Sequence, residues 1–340
     1  MEDPGADRSR RATKMTGLRR VVVTGVAGFI GANLARELIR RGEEVHGIVR
    51  ATTDLWRTRE ILPSLHLHTA DVADRVAVGR ALRDVEPDVV FHLAVTTGHP
   101  EGGAEYEDLV RSGVLGTWNT LEAAAAIGVR RFVHLGSSLE YPERAVALSE
   151  SEPSQPGTFR AAVKAASTLL CLGMAQGGAL PVVVLRPFYV YGPWDAPSHL
   201  IPTALRSAFT GEELPLTRST YVHDPVYVED VVDACIRAAT SDAVVGEVVN
   251  VGSGREWSNQ EIVREVEAAT GRKIKIRPGA FSPRPADRAH WVADIHKAKR
   301  LLGWEPGHTF RDGLEKTLRW YETHSVVRDQ QIEERNGASA

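Results

Sequence analysis

The segment "RRVVVTGVAGFIGANLARELIRRG", residues 19–42, constrains the fold more than any other. "RVVVTG" is a short, apolar, β-branched run, the pattern of a strand buried on both faces. Gly25, Gly28 and Gly31 follow as G-x-x-G-x-x-G. Ile30, Leu34 and Leu38 then recur at helical spacing, and Gly42 offers a C-terminal stop. Glycines in a strand-to-helix turn let a backbone come close to a pyrophosphate, which meets the exposed N–H groups of the helix N-terminus. The bland alternative is an ordinary tight turn. The order strand, turn, helix and then a second strand, "EVHGIVR", favours the dinucleotide reading.

The alternation continues through "LHLHTADV", "DRVAVGRALRDV", "PDVVFHLAV", a helical stretch over 104–127, "RRFVHLGSS", a helix over 159–176 and "LPVVVLRPFYVYG". The expected fold is α/β: a Rossmann-type doubly wound parallel sheet with a smaller, interleaved C-terminal α/β substrate lobe. The expected organisation is a flexible tail over 1–17, a dinucleotide-binding domain over 18–190, a lobe over 191–324 and a second tail over 325–340. Met15 is an alternative start, because the first strand follows almost at once. In the lobe, Ser258 reads as a helix N-cap with Glu261 in the reciprocal capping-box position.

The chain has 340 residues, 43% hydrophobic and 25% charged, with a net charge of −3. No bulk charge points to nucleic acid or a membrane surface. No run approaches the roughly 20 apolar residues of a bilayer span, and the first residues lack an apolar signal core. The two cysteines, Cys171 and Cys235, sit in apolar helical stretches and read as packed thiols in a reducing cytoplasm. No histidine, cysteine or carboxylate cluster has metal-ligand spacing, and "GSS" is not a nucleophile elbow.

Eight segments in order now carry a resemblance: the glycine-turn segment, "PDVVFHLAV", "HLGSSLEY", the helix holding Lys164, "LRPFYVYGP", "VYVEDVVDA", "VVNVGSG" and "ADIHKAKRLLGWEP". Over roughly residues 19–322 the chain resembles the extended short-chain dehydrogenase/reductases, in particular the NAD(P)-dependent nucleotide-sugar epimerases, dehydratases and ketoreductases. "EVHGIVR" looks most like the NADP-using sugar 4,6-dehydratases. The resemblance implies that Gly25, Gly28, Phe29, Ile30 and Gly31 line the pyrophosphate, that Asp71 and Val72 flank the adenine, and that Leu93, Ala94 and Val95 run under the cofactor. It gives Ser138 the hydrogen bond to the reacting oxygen and Lys164 the nicotinamide ribose, and it sets Pro187 and Tyr189 near the nicotinamide. Thr96, Tyr189, Leu200, His223 and Arg284 would face the nucleotide sugar. It also implies a homodimer, formed through the stretches 104–127 and 159–176.

The second strand ends at Arg50 rather than at a carboxylate, with Arg57 and Arg59 nearby. An arginine suits a 2′-phosphate, so NADP is expected and NAD is the alternative. Solvated surface arginines are the bland reading.

The sequence departs from the family around one pocket. Arg160 stands where a tyrosine moves the proton, and arginine keeps its proton near neutral pH. Gly113, Tyr189 and His223 replace an asparagine, an asparagine and an arginine of the pattern. Hydride transfer at a C–O carbon needs a matching proton transfer. Tyr189 is the first candidate carrier. Glu140 with Tyr141 follows, then His99, His223 and Lys164 itself. Three functions remain open: an NADP-dependent reductase of a nucleotide-activated keto-deoxysugar, a 4,6-dehydratase or epimerase that recycles its cofactor, and a noncatalytic nucleotide-binding protein.

Overall fold

A computed structural model describes residues 18–96, 103–217, 221–281 and 288–324. Its centre is a seven-stranded sheet in the order β3 (Leu65–Thr69), β2 (Glu44–Val49), β1 (Arg20–Thr24), β4 (Val89–His92), β5 (Arg131–Leu135), β6 (Val182–Pro187) and β11 (Val248–Val251). Every pairing in it is parallel. Strands buried on both faces explain the unbroken apolar runs. Val21 and Val23 enter one core and Val22 the opposite core, all fully buried. Each such valine contributes on the order of 1.5 kcal/mol of hydrophobic stabilisation.

One face is covered by α1 (Phe29–Arg40), α7 (Val228–Thr240) and α9 (His296–Leu302). The other carries α2 (Arg75–Val85), α4 (Gly116–Ala126) and α5 (Phe159–Gln176). A third core joins α6 (Leu200–Thr210), α8 (Asn259–Thr270) and α10 (Phe310–Thr323) around Tyr191, Leu205, Val266 and Leu314. Three short strand pairs complete this lobe. They are β7 (Tyr189–Tyr191) with β10 (Pro225–Tyr227), β8 (Leu214–Leu216) with β13 (Ile276–Pro278), and β9 (Val222–His223) with β12 (Trp257–Ser258). The lobe does interleave: α7, β11 and α9 all return to the main sheet. The Ser258 capping box with Glu261 is present, and both cysteines are buried and unbridged.

Two elements differ from the sequence reading. The helix over 104–127 stays helical throughout but carries a π-turn at Arg111–Leu115 between α3 (Gly103–Val110) and α4. Gly113 lies in that turn against α5: a Cβ there would collide with Val163 Cγ1. Its carbonyl accepts from the hydroxyls of Thr117 at 2.5 Å and Ser167 at 2.9 Å, which draws α5 close. The run "LPVVVLRPFYVYG" is two strands rather than one. At Phe188 the N–H goes to Val251 O, and at Tyr189 it goes to Asp224 O, so the chain changes sheets there.

Candidate active site

The glycine turn sits at the carboxyl end of β1. Gly25 has φ +71°, and a Cβ would lie 2.9 Å from Ala94 N and Leu93 C. A Cβ at Gly31 would overlap Gly25 O. The N-cap of α1 is Gly28, which has no side chain to cap the helix, and the first turn holds no acid. The N–H groups of Phe29 and Ile30 thus begin a helix whose end is left for an anion. Thr24 Oγ1 accepts from Leu93 N and Ala94 N, each at 3.2 Å, and fixes the "LAV" segment alongside. Thr96 is tied to Ser112 through its N–H and its hydroxyl. Asp71 is exposed, and its Oδ1 accepts from Ala73 N at 2.9 Å. Val72 is buried against Gly116, so its side chain serves packing. Arg50 is exposed just beyond β2. A surface hollow lined by Leu18, Glu43 and Arg237 lies at the opposite, amino end of the strands and has no part in this site.

The turn after β5 gathers several buried polar groups. Ser137 N-caps a short 3-10 turn, and Glu140 closes a capping box by accepting from Ser137 N at 2.8 Å. The sequence reading offered Glu140 as a base for an α-proton or as a solvent-facing loop residue. It is fully buried, and its Oε2 accepts from Arg186 Nε at 3.0 Å and Nη2 at 2.7 Å. Arg186 in turn lies over the Tyr141 ring at 4.4 Å, and Tyr141 donates to Asn250 Oδ1 at 2.8 Å. Burial pushes the Tyr141 phenol up to about 12, so it too is a structural member of the network. Ser138 is buried and accepts a hydrogen bond from the indole N–H of Trp291 at 3.1 Å.

Lys164 reaches this turn from α5. Its Nζ donates to Leu135 O at 2.7 Å. Burial, and then the charge of Arg160, bring it down to about 8. Arg160 therefore contributes field to the same space, one turn earlier on α5. Beneath Lys164, His92 and His134 are buried with rings stacked at 5.5 Å. Burial, followed by Lys164, holds His92 near 3 and His134 well below its usual range, so both are neutral. Pro187 ends β6 opposite Val251.

Tyr189 and His223 pack ring on ring at 4.8 Å, and His223 Nε2 lies 2.9 Å from Asn259 Oδ1. Tyr189 Oη is buried and makes no hydrogen bond of normal geometry among the described residues. Burial and then Asp195 push its ionisation far up, with only partial opposition from the amides of Ile201 and Leu200. A phenol held this way keeps its proton at neutral pH. Leu200 opens α6 next to His199, whose Nδ1 lies 2.8 Å from the buried Asp195. Burial disfavours charge on His199, but Asp195 outweighs it and raises the imidazole above its ordinary value. Arg284 and His99 lie outside the described residues. Among the described residues no group of three or more His, Cys, Asp or Glu side chains is placed to hold a metal ion.

Residues 21–252 match the family described as "NAD dependent epimerase/dehydratase family". The chain belongs to that family. A dTDP-glucose 4,6-dehydratase of Xanthomonas campestris pv. campestris is 31% identical over 90% of this chain and 93% of its own. The Haloferax volcanii low-salt glycan biosynthesis protein Agl12 is 31% identical over 88% of this chain and 98% of its own. Among solved structures, the dTDP-glucose 4,6-dehydratase DesIV of Streptomyces venezuelae, with NAD and TYD bound, superposes with a TM-score of 0.83 at 27% identity, covering 92% of this chain and 99% of that one. MoeE5 in complex with UDP-glucose and NAD gives 0.80 at 29%, covering 90% and 99%.

Within the epimerase/dehydratase frame, the uncapped α1, the glycines pressed on Leu93 and Ala94, and buried Lys164 fit a nicotinamide dinucleotide. The sequence reading missed Arg186, Trp291 and the Asp195–His199 pair. Ser137-x-x-Glu140 is a capping-box spelling that signals Glu140's structural role. Nothing local in the sequence joins Trp291 to Ser138, 153 positions away.

Proposed function

We propose that this protein is an NAD(P)-dependent nucleotide-sugar enzyme that works in the reductive direction, converting a keto group of an NDP-keto-deoxysugar to a hydroxyl. The observation that carries the direction is the buried Glu140–Arg186 pair beside a lysine brought down to about 8. Oxidation of a hydroxyl needs a group that takes its proton. At neutral pH the groups at this place are mostly in their protonated form, the Ser138 hydroxyl on the turn and the Lys164 ammonium from α5, which suits protonation of a carbonyl oxygen.

A nicotinamide dinucleotide, when held by the glycine turn and Lys164, would supply the hydride. Ser138 donates to the carbonyl oxygen and holds it as negative charge develops there. Lys164, still mostly protonated at neutral pH, gives the proton that completes the alcohol. Arg160 favours the anionic oxygen by its field. Exposed Arg50 at the end of β2 supports NADP, whereas the solved neighbours with a cofactor in their descriptions hold NAD.

A second reading, a 4,6-dehydratase or epimerase with cofactor recycling, is favoured by the relatives that carry those names. The test is to supply NADPH or NADH with an NDP-4-keto-6-deoxyhexose, and separately the parent NDP-hexose alone. Stoichiometric loss of reduced cofactor supports the reductase. Conversion of the parent sugar without net cofactor change supports the second reading. A ligand-induced rise in melting temperature with no turnover of either sugar leaves a binding role.

We also infer a homodimer through α3, α4 and α5. Tyr106 and Trp118 are each 40% exposed, Phe159 is 43% and Leu169 is 64%. Sedimentation of Leu169→Glu as a monomer is the expected outcome, and an unchanged sedimentation coefficient argues against this face. No described helix is long and apolar enough to cross a membrane.

A further inference from the structure

The segment carrying Trp291 is anchored from three sides. Trp291 N–H donates to Glu256 Oε1 at 2.7 Å, and Ala293 N–H donates to Asp224 Oδ2 at 2.9 Å. Leu148 exchanges backbone hydrogen bonds with Val292 at 2.8 Å and Asp294 at 2.9 Å. The indole is 5% exposed, in a small core with Tyr141, Leu148, Phe188 and Ala293. It therefore has one orientation, and its N–H ends on Ser138 Oγ.

An indole nitrogen only donates, so Ser138 Oγ acts as the acceptor in this bond. Among the described residues no acceptor for the serine's own hydrogen is present at Oγ. A buried hydroxyl in that state is completed by an acceptor from outside the chain. We propose that Trp291 is a positioning residue: its indole N–H occupies a lone pair of Ser138 Oγ and commits the serine hydroxyl to donate to the reacting oxygen of the sugar. The consequence is a bias toward the carbonyl form, which only accepts, over the hydroxyl form, which also accepts but finds one of the two Oγ lone pairs already occupied when it donates. The inference rests on the nucleotide-sugar reading above.

The test replaces Trp291 with 3-benzothienylalanine, which keeps the bicyclic shape and puts sulfur where the N–H was. Trp291→Phe serves as the genetically simple companion. Affinity for an NDP-4-keto-sugar and for the matching NDP-hexose is measured with cofactor bound, together with single-turnover reduction. The expected result is reduction about fivefold to tenfold slower, a smaller affinity ratio of keto-sugar to hexose, and unchanged cofactor affinity and melting temperature. Wild-type rates and an unchanged affinity ratio in the benzothienyl protein overturn the role of Trp291 and leave the nucleotide-sugar reading standing. A wild-type protein that binds neither sugar overturns the functional reading and the inference together. A slower reaction that follows a lowered melting temperature in both variants, with the affinity ratio intact, also counts against positioning, because packing alone then explains it.

Discussion

Replacing Lys164 by methionine tests the electrostatics of the site through stability alone. The Lys164 ammonium is buried at 8% exposure and comes down from 10.5 to about 8. A group whose folded value is depressed in this way binds protons more weakly folded than unfolded. Its charge therefore opposes folding at pH 7, and the penalty is relieved as pH rises between about 8 and 10.5. At 1.36 kcal/mol per pH unit, the penalty is about 3 kcal/mol at pH 7 and falls by about 2 kcal/mol at pH 9.5. The folded value of about 8 already includes the ammonium's bond to Leu135 O at 2.7 Å, so what stands against the penalty is the ordinary hydrogen bond that the neutral amine can make there, about 1 kcal/mol. Lys164→Met is thus expected to be about 2 kcal/mol more stable than wild type at pH 7 and about equal to it at pH 9.5. Urea denaturation of both proteins at the two pH values reads this directly. The readout is the difference between the proteins, because the buried thiols of Cys171 and Cys235, pushed up by burial, titrate in both. A difference that does not move with pH, or that grows in favour of the methionine, refutes the reasoning.

Three further perturbations separate structure from chemistry. Glu140→Gln leaves the Arg186 guanidinium buried without its carboxylate and should cost about 3–5 kcal/mol in chemical denaturation, most of it recovered by adding Arg186→Met. Restoring the family's asparagine with Gly113→Asn should lower the melting temperature and activity together, because the new Cβ meets Val163 Cγ1; Val163→Ala in the same chain should recover stability. Tyr189→Phe removes a buried hydroxyl that lacks a normal hydrogen bond, so the expected result is equal or slightly higher stability, by about 1 kcal/mol, with turnover kept within about threefold. A collapse of turnover in that variant returns Tyr189 to the role of proton carrier.

The parallel sheet was legible because its signal is local. "RVVVTG" followed by spaced glycines spells a strand and a turn with no help from distant residues, and the uncapped N-terminus of α1 follows from Gly28. Lys164 and Ser138 were legible through the resemblance. The state of the proton groups was not, because it depends on partners remote in sequence. Glu140 meets Arg186 across 46 positions, and Tyr141 meets Asn250 across 109. The π-turn at Gly113 was hidden for the same reason: glycine in a helical pattern does not announce that another helix presses on it.

The return of α7, β11 and α9 to the main sheet has a consequence for how this molecule can be taken apart. Strand β11 covers the outer edge of β6, and Val231, Cys235 and Trp304 share one core with Val21, Val23 and Leu34. A chain ended near residue 190 would expose that edge and leave the α1 face half built, inviting aggregation rather than yielding a free-standing nucleotide module. Recombination between relatives at that point would have to exchange β11 and its flanking helices along with the first six strands. The glycine-turn half of the chain and the lobe are therefore expected to unfold as one piece, in a single transition on heating.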